Sequence, residues 1–291
     1  MQVQLKSPCK VNLILNILAK RPDGFHELET VMQPVEISDE LTFERSDSGI
    51  QLTCSEPSLP VDSSNLVCRA AAAFFERGKH SGGVKIHLQK RIPVAAGLAG
   101  GSGNAATTLL ALNQLFDTRL SPEQLHEIAA SLGSDIPFFL QRGPALGTGR
   151  GERIESLPPF RALKGCALLL VHPGFGIATA WAYRELGRFP AALHGLPGRA
   201  RKLLAMLDSG NLRAASREFY NSLETPALEK YPWLFLLQEF LRENGAVATL
   251  MSGSGSTTFA ITNDLCGAHE IEERVREKFG RCWTAVAPIG P

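Results

Sequence analysis

Between Val11 and Leu18 the odd positions Val11, Leu13, Leu15 and Ile17 are apolar, while Lys10, Asn12 and Asn16 take the other parity. A period of two predicts a strand and sets Lys10 and Asn12 on one face, two residues apart. Asn65 stands as a cap before a helix expected over 65–77, with Gly78 beyond its end. Val84, Ile86 and Leu88 alternate with Lys85, His87 and Gln89, which predicts a second strand that stops at Pro93. A glycine-rich loop then leads to a helix expected over 104–116. Ser121-Pro122-Glu123-Gln124 has the chemistry of a helix start: a capping hydroxyl, proline in the first turn, and Gln three residues on. Gly133 is expected to end that helix.

The proline-containing stretch Leu157–Pro159 is the best candidate for a boundary, which divides the chain into domains over 1–158 and 159–291. Beyond it the pattern gives a strand at 166–172, helices to about Glu243, strands at 247–251 and 257–262, a helix at 268–279 and a strand at 282–287. Collapsing the helical stretch to one crossover gives β-α-β-β-α-β, the split arrangement of ferredoxin-like domains. The expected fold class is α+β in two domains.

Composition narrows the function classes. The 291 residues are 44% hydrophobic, an ordinary globular fraction, and Lys plus Arg against Asp plus Glu leaves a net charge of only +1. No broad basic field is available for nucleic acid or an acidic membrane surface. Cys9, Cys54, Cys68, Cys166, Cys266 and Cys282 form no C-x-x-C pair, so free thiols in a reducing cytosol are expected. His126-Glu127 and His269-Glu270 begin a zinc-helix pattern that neither completes. The first ten residues lack the apolar run of a signal peptide, and the longest apolar stretch, 166–171, falls far short of the ~20 residues of a membrane span. A cytoplasmic protein is expected, as monomer or homodimer, with no membrane and no nucleic-acid partner.

The 27 glycines matter through their clustering. Pro93-Val94-Ala95-Ala96-Gly97-Leu98-Ala99-Gly100-Gly101-Ser102-Gly103 lies between a strand and a helix. Small residues allow close backbone approach and positive φ, and a helix start offers unpaired N–H groups, so a phosphate is the natural ligand. Ser102 adds a hydroxyl within reach of a phosphate or its Mg²⁺. The segment is neither a Walker loop, which needs G-K-[ST], nor the dinucleotide fingerprint, because Asn104, Ala105 and Ala106 follow Gly103. Tight helix–sheet packing is the competing explanation for its glycines. A second cluster, Ser252-Gly253-Ser254-Gly255-Ser256, reads by itself as a hairpin loop and gains a role only if it meets the first.

Pro93-x-x-x-Gly97-Leu98-x-Gly100-Gly101-Ser102 resembles the phosphate loop of the GHMP kinases, which phosphorylate small-molecule alcohols. Ser7-Pro8-Cys9-Lys10-Val11-Asn12-Leu13, Arg21-Pro22-Asp23-Gly24-Phe25-His26-Glu27-Leu28 and Gly133-Ser134-Asp135-Ile136-Pro137-Phe138-Phe139 are similar to further motifs of that family, in the same order. The likeness spans nearly the whole chain. Cys9 departs from the usual alanine, Ala95 and Ala99 from glycine, and Gly103 from serine. The resemblance implies the two-domain GHMP kinase fold, its first domain like one found in a ribosomal protein and its second ferredoxin-like. It also implies ATP with Mg²⁺ and, in the branch these motifs fit, a cytidylyl substrate. The acceptor there is the 2-hydroxyl of 4-diphosphocytidyl-2-C-methyl-D-erythritol, an intermediate of non-mevalonate isoprenoid synthesis. Another small-molecule alcohol, or a non-catalytic nucleotide- or RNA-binding module, stands as the alternative.

The implied roles compete with plainer ones. Asp135 is a turn or cap aspartate by local pattern and a general base by resemblance. Lys10 is a solvated strand lysine by default, and by resemblance a cation beside Asp135 and the reacting hydroxyl. Asn12 is then a substrate hydrogen-bond partner rather than a strand-surface amide. Phe25 and His26 follow a turn and are bland surface residues unless, as in the family, Phe25 stacks on cytosine and His26 bonds its edge. Tyr183 becomes the second stacking face and Thr179 a substrate neighbour, although their helical spacing equally suits core packing. Gly253, Ser254 and Gly255 complete the second loop. No metal ligand is assigned.

Overall fold

A computed structural model of the chain describes residues 2–80, 82–117 and 120–290. The order of elements begins β1 (Gln2–Lys20), β2 (His26–Ser46), β3 (Ile50–Cys54), α1 (Leu66–Gly78), β4 (Gly83–Gln89), α2 (Gly100–Leu115), α3 (Pro122–Leu132), β5 (Ala145–Thr148) and β6 (Arg153–Ser156). It continues with β7 (Ala167–His172), α4 (Thr179–Leu186), α5 (Pro190–Leu193), α6 (Arg199–Asp208), α7 (Leu212–Ala215), β8 (Tyr220–Asn221), α8 (Glu224–Lys230) and α9 (Pro232–Glu243). β9 (Ala248–Met251), β10 (Thr258–Thr262), α10 (Leu265–Phe279) and β11 (Trp283–Pro288) close the chain. No helix among the described residues is long and apolar enough to cross a membrane.

The chain forms two compact units that do not follow chain order. One comprises Met1–Cys9, Ile37–Ile92 and Ala99–Arg142; the other comprises Lys10–Glu36, Pro93–Leu98 and Gly143–Pro291. The long neighbouring strands β1 and β2 pass through both.

In the first unit β4 pairs antiparallel with the second half of β2, from Glu40 to Ser46, and parallel with β3. Leu41, Phe43, Val84, Ile86 and Leu88 of this sheet are buried; α1, with Val67, Ala71 and Phe74 buried, packs against β3 and against α2, where Leu109 and Leu112 are buried. The Asn65 side chain caps α1 by accepting from the Val67 N–H at 2.9 Å, as the sequence suggests. Gly78 does not break that helix. It is the last helical residue, and Lys79 takes the left-handed conformation at φ +51°. Ser121 and Gln124 form the expected reciprocal capping box of α3, and the Gly133 N–H closes it on the Ala129 carbonyl.

In the second unit the first half of β2 pairs with β5, β5 with β6, and β1 pairs parallel with β8 at Ile14 and Leu15. A four-stranded antiparallel sheet has the order β11-β7-β10-β9, which is the ferredoxin-like order for the predicted β-α-β-β-α-β pattern. Leu169 and Val171 of β7, Leu237 and Leu241 of α9, and Ile271 and Val275 of α10 form its core. A second cluster joins Leu15, Ile17 and Leu28 of the long strands to Ala182, Leu186, Leu223, Leu234 and Met251. Strand β8, hidden in sequence within a helical stretch, leads straight into the residues that brace the site.

Candidate active site

The glycine segment is part loop and part helix. α2 starts at Gly100, four residues earlier than its apolar pattern suggests, so Gly100–Gly103 form its first turn. The first helical bond runs from the Gly103 N–H to the Ala99 carbonyl at 2.9 Å. The N–H groups of Gly100, Gly101 and Ser102 therefore precede the helical ladder, at the positive end of the helix. Ala99 brings no capping side chain, which leaves that end open to an anion. Ala95 and Ala99 both hold left-handed backbone, at φ +54° and +55°, where the family pattern favours glycine; for alanine this conformation costs roughly 1–2 kcal/mol.

The glycines divide by role. A Cβ on Gly103 would stand 2.6 Å from the Pro8 carbonyl oxygen and 3.0 Å from the Ser7 hydroxyl. Gly103 is thus a packing residue that lets α2 lie against β1, which accounts for the missing hydroxyl at that position. Gly101 has only a Leu66 methyl at 3.8 Å and faces open space.

The second glycine loop meets the first. Ser252 Oγ donates to the Gly97 carbonyl at 2.9 Å, and the Thr257 N–H donates to the Ala96 carbonyl at 3.2 Å. Ser252 through Ser256 are all buried, unlike a free hairpin tip. Asn221 braces this loop by donating from Nδ2 to the carbonyls of Met251 and Gly253, both at 2.8 Å. Thr179 and Ser254 share a hydroxyl–hydroxyl hydrogen bond at 3.0 Å, which brings the expected substrate neighbour to the second loop.

Glu224, one turn after Asn221, accepts on Oε1 from the Met251 N–H at 2.7 Å and from Gln238 Nε2 at 2.5 Å. Part of the residue reaches the surface, but its carboxyl group is enclosed, and burial pushes its pKa up to about 6. A raised carboxyl pKa means that the folded state binds the proton more tightly than the unfolded chain. The associated stability is full below the ordinary value of 4.5 and is lost as pH rises through 6, a difference of ~2 kcal/mol. Denaturant unfolding of Glu224→Gln, which keeps an acceptor oxygen, should therefore show the variant gaining on the wild type by about that amount between pH 4.5 and 7. A difference independent of pH contradicts the assignment.

Lys10 and Asn12 do share a face of β1. Lys10 Nζ donates to Asn12 Oδ1 at 2.6 Å, Asn12 Nδ2 to Thr30 Oγ1 at 2.8 Å, and Thr30 Oγ1 to the Ile14 carbonyl at 2.7 Å. Lys10 is 3% exposed, far from the solvated strand lysine of the plainer expectation. Its backbone N–H donates to the Leu98 carbonyl at 3.1 Å, which ties β1 to the phosphate-loop candidate. Asp135 lies in the other unit, three residues past the end of α3 and immediately before the buried Ile136–Phe139 run. It is half-buried, in a break between helical segments rather than inside one.

The aromatic group is self-paired. The His26 and Tyr183 rings make a tilted contact, with centroids 4.9 Å apart and 35° between planes, while the Arg150 guanidinium lies 4.5 Å from the centroid of the 48% exposed Phe25 ring. The turn beneath them is fixed by Asp23, which accepts from the Phe25 N–H at 3.1 Å and pairs with Arg21 at 2.9 Å. Arg21 holds the Asp23 carboxyl below its ordinary pKa. Burial, aided by Lys20, lowers the His26 pKa, so the ring is neutral at pH 7 and offers both a donor and an acceptor. Tyr183 packs against the Leu15–Leu28 cluster, so the core expectation holds for part of its surface.

Sequence reasoning missed Arg150, Asn221 and Glu224, together with Asp39. The Arg150 loop is joined to the His26 segment by a Leu28 N–H bond to the Gly149 carbonyl at 2.8 Å, a pairing without local signature. Asn221 and Glu224 lie about 30 residues before the loop that they brace.

Two family profiles match the chain: GHMP kinases N terminal domain over residues 65–143 and GHMP kinases C terminal over 200–281. A 4-diphosphocytidyl-2-C-methyl-D-erythritol kinase of Pelotomaculum thermopropionicum is 42% identical over 92% of this chain and 91% of its own length. A namesake from a Synechococcus species is 40% identical over 97% and 93%. A crystal structure of 4-(cytidine 5'-diphospho)-2C-methyl-D-erythritol kinase superposes with a TM-score of 0.81 at 35% identity, covering 99% of this chain and 100% of that one. Homoserine kinase from Cytophaga hutchinsonii, at 19% identity and a TM-score of 0.79, shares the fold.

Proposed function

The chain belongs to the GHMP kinases, in the family of the 4-diphosphocytidyl-2-C-methyl-D-erythritol kinases, and from that premise we propose its reaction and the roles of its residues. It transfers the γ-phosphoryl group of ATP to the 2-hydroxyl of 4-diphosphocytidyl-2-C-methyl-D-erythritol, giving the 2-phosphate and ADP in non-mevalonate isoprenoid synthesis. The observation that carries this reading is the open start of α2, left uncapped at Ala99 and continuous with a loop that Ser252 fastens at Gly97. Such a site suits an anion held by backbone N–H groups rather than by a field of lysines, consistent with a net charge of +1.

In this reading residues 93–103 cradle the ATP phosphates. Asp135 accepts the proton of the attacking hydroxyl as its oxygen bonds to phosphorus, and the bond to the ADP oxygen breaks. Lys10, oriented by Asn12, supplies positive charge near the transferring group, and Asn12 bonds substrate. Cytosine takes its place between Phe25 and Tyr183, displacing the His26–Tyr183 contact, while neutral His26 bonds the base edge. Thr179 and the Gly253-Ser254-Gly255 loop border the erythritol phosphates. Mg²⁺ would come with ATP and would neutralise charge on its phosphates, and Ser102 is the residue of the cradle whose hydroxyl would help to hold it. The family domains divide at residues 158 and 159, and the enzyme works in the cytoplasm on small molecules.

A panel of alcohols with MgATP tests the substrate. ADP release should favour the cytidylyl alcohol over methylerythritol phosphate, homoserine and mevalonate by about a hundredfold or more in kcat/KM. Comparable turnover of an alcohol without cytidine overturns the choice.

A further inference from the structure

Asp39 of β2 is wholly buried, and its carboxylate gathers four donors from the two sides of the glycine segment. Oδ1 accepts from the backbone N–H groups of Arg91 at 2.7 Å and Ile92 at 2.9 Å, the last two amides before Pro93. Oδ2 accepts from Asn104 Nδ2 at 2.9 Å, in the residue directly after Gly103, and from the Lys90 ammonium. Asn104 spends its other amide hydrogen on Ser7 Oγ at 2.9 Å. A buried carboxylate is tolerated only when it is paired and hydrogen-bonded, and here every donor flanks residues 93–103.

Residues 95, 97 and 99 of that segment all hold positive φ, so no regular ladder supports its shape. The carbonyls of Ala96, Gly97 and Leu98 are held by Thr257, Ser252 and Lys10, and both ends of the segment are held by one side chain, Asp39. Lys90 adds an electrostatic reason. Its ammonium comes close to Gly100 at the start of α2, where a Cβ would stand 3.4 Å from Nζ. A cation there opposes the helix dipole unless an anion accompanies it, and Asp39 is that anion.

We propose that Asp39 is a positioning residue for nucleotide, fixing the entrance and exit of the glycine segment through Arg91, Ile92, Lys90 and Asn104; this rests on the reading of 93–103 as the ATP phosphate loop. Asp39 acts on ATP without touching it, and its four donors come from Lys90, Arg91, Ile92 and Asn104 rather than from Phe25, His26, Tyr183 or Arg150 of the cytidylyl pocket.

Asp39→Asn removes the charge and turns one oxygen into a donor facing donors. Asn104→Ala releases the α2 anchor, together with the bond to Ser7, while leaving Asp39 and its other three donors, and serves where the first variant does not fold. Titration with a non-hydrolysable ATP analogue plus Mg²⁺, and separately with the cytidylyl alcohol, is compared with steady-state KM values for both. The expected result is a nucleotide Kd and KM raised about tenfold or more, with the alcohol constants within about twofold of wild type. A lowered Tm with both sets of constants unchanged makes Asp39 a structural residue only and overturns the proposal, as does equal weakening of both ligands. Wild-type protein that fails to bind the analogue removes the phosphate-loop reading itself. Wild type that binds while both variants bind equally well removes only the role of Asp39.

Discussion

Replacement of Asp135 by Asn is expected to lower kcat for phosphorylation of the cytidylyl alcohol by about a hundred- to ten-thousand-fold, the range for loss of a general base. The amide has the size of the carboxylate but takes no proton at neutral pH, so the hydroxyl must shed its proton to water as the new bond forms. The site permits a clean experiment. Asp135 is only half-buried, and the elements on either side hold themselves in place: Gly133 is bonded back to Ala129 at 3.1 Å, and Phe138 and Phe139 anchor the following turn in the core. The unfolding midpoint should stay within about 0.5 kcal/mol of wild type, as for a substitution outside the core. KM for ATP should also hold, since in the proposed reading the phosphates are held by residues 93–103 and not by Asp135. Turnover near the wild-type level would remove Asp135 from the chemistry, and a large stability loss would return it to the turn-aspartate role that its local pattern suggests.

The parts of this fold that were legible in sequence are those whose physics is local. Alternation at Val84, Ile86 and Leu88 marks β4 because one face of the strand is buried. The Ser121–Gln124 box marks α3 because both partners lie within one turn. Gly78 misled because the left-handed residue that ends α1 is Lys79, one position further on, and Gly78 stays helical. The start of α2 was hidden because Gly100, Gly101 and Gly103 have poor helix propensity, and contact with Ile92 and Pro8 decides their conformation. The candidate site divides in the same way. Lys10 and Asn12 meet through a two-residue period, whereas Asp39, Asn221 and Glu224 act on residues 27 to 65 positions away. Their identity as ordinary polar residues carries no signal of what they hold.

Gly97→Ala is expected to cost about 3 kcal/mol of stability and to abolish measurable ATP binding, the larger effect lying in the loop junction rather than in φ. Gly97 has φ +78°, but Ala95 and Ala99 on either side already hold left-handed backbone, so an alanine at such an angle is tolerated in this loop. What differs is the space. A Cβ on Gly97 would fall directly on the Ser252 carbonyl oxygen and 2.8 Å from the Gly255 N–H nitrogen, both backbone atoms that no rotamer change can move aside. Relief requires the two loops to part, which breaks the Ser252 hydrogen bond to the Gly97 carbonyl and strains the Asn221 brace on Gly253. The phosphate cradle then loses the shape that its N–H groups need. Gly101→Ala is the control for stability, because a Cβ there meets only a Leu66 methyl at 3.8 Å, and alanine is the better helix former by up to about 1 kcal/mol. Urea unfolding of both variants, with nucleotide titration of the first, separates close approach from conformational freedom. Equal stability for the two would mean that the junction yields freely, and the phosphate loop would then owe its shape to its own backbone rather than to the second loop beneath it.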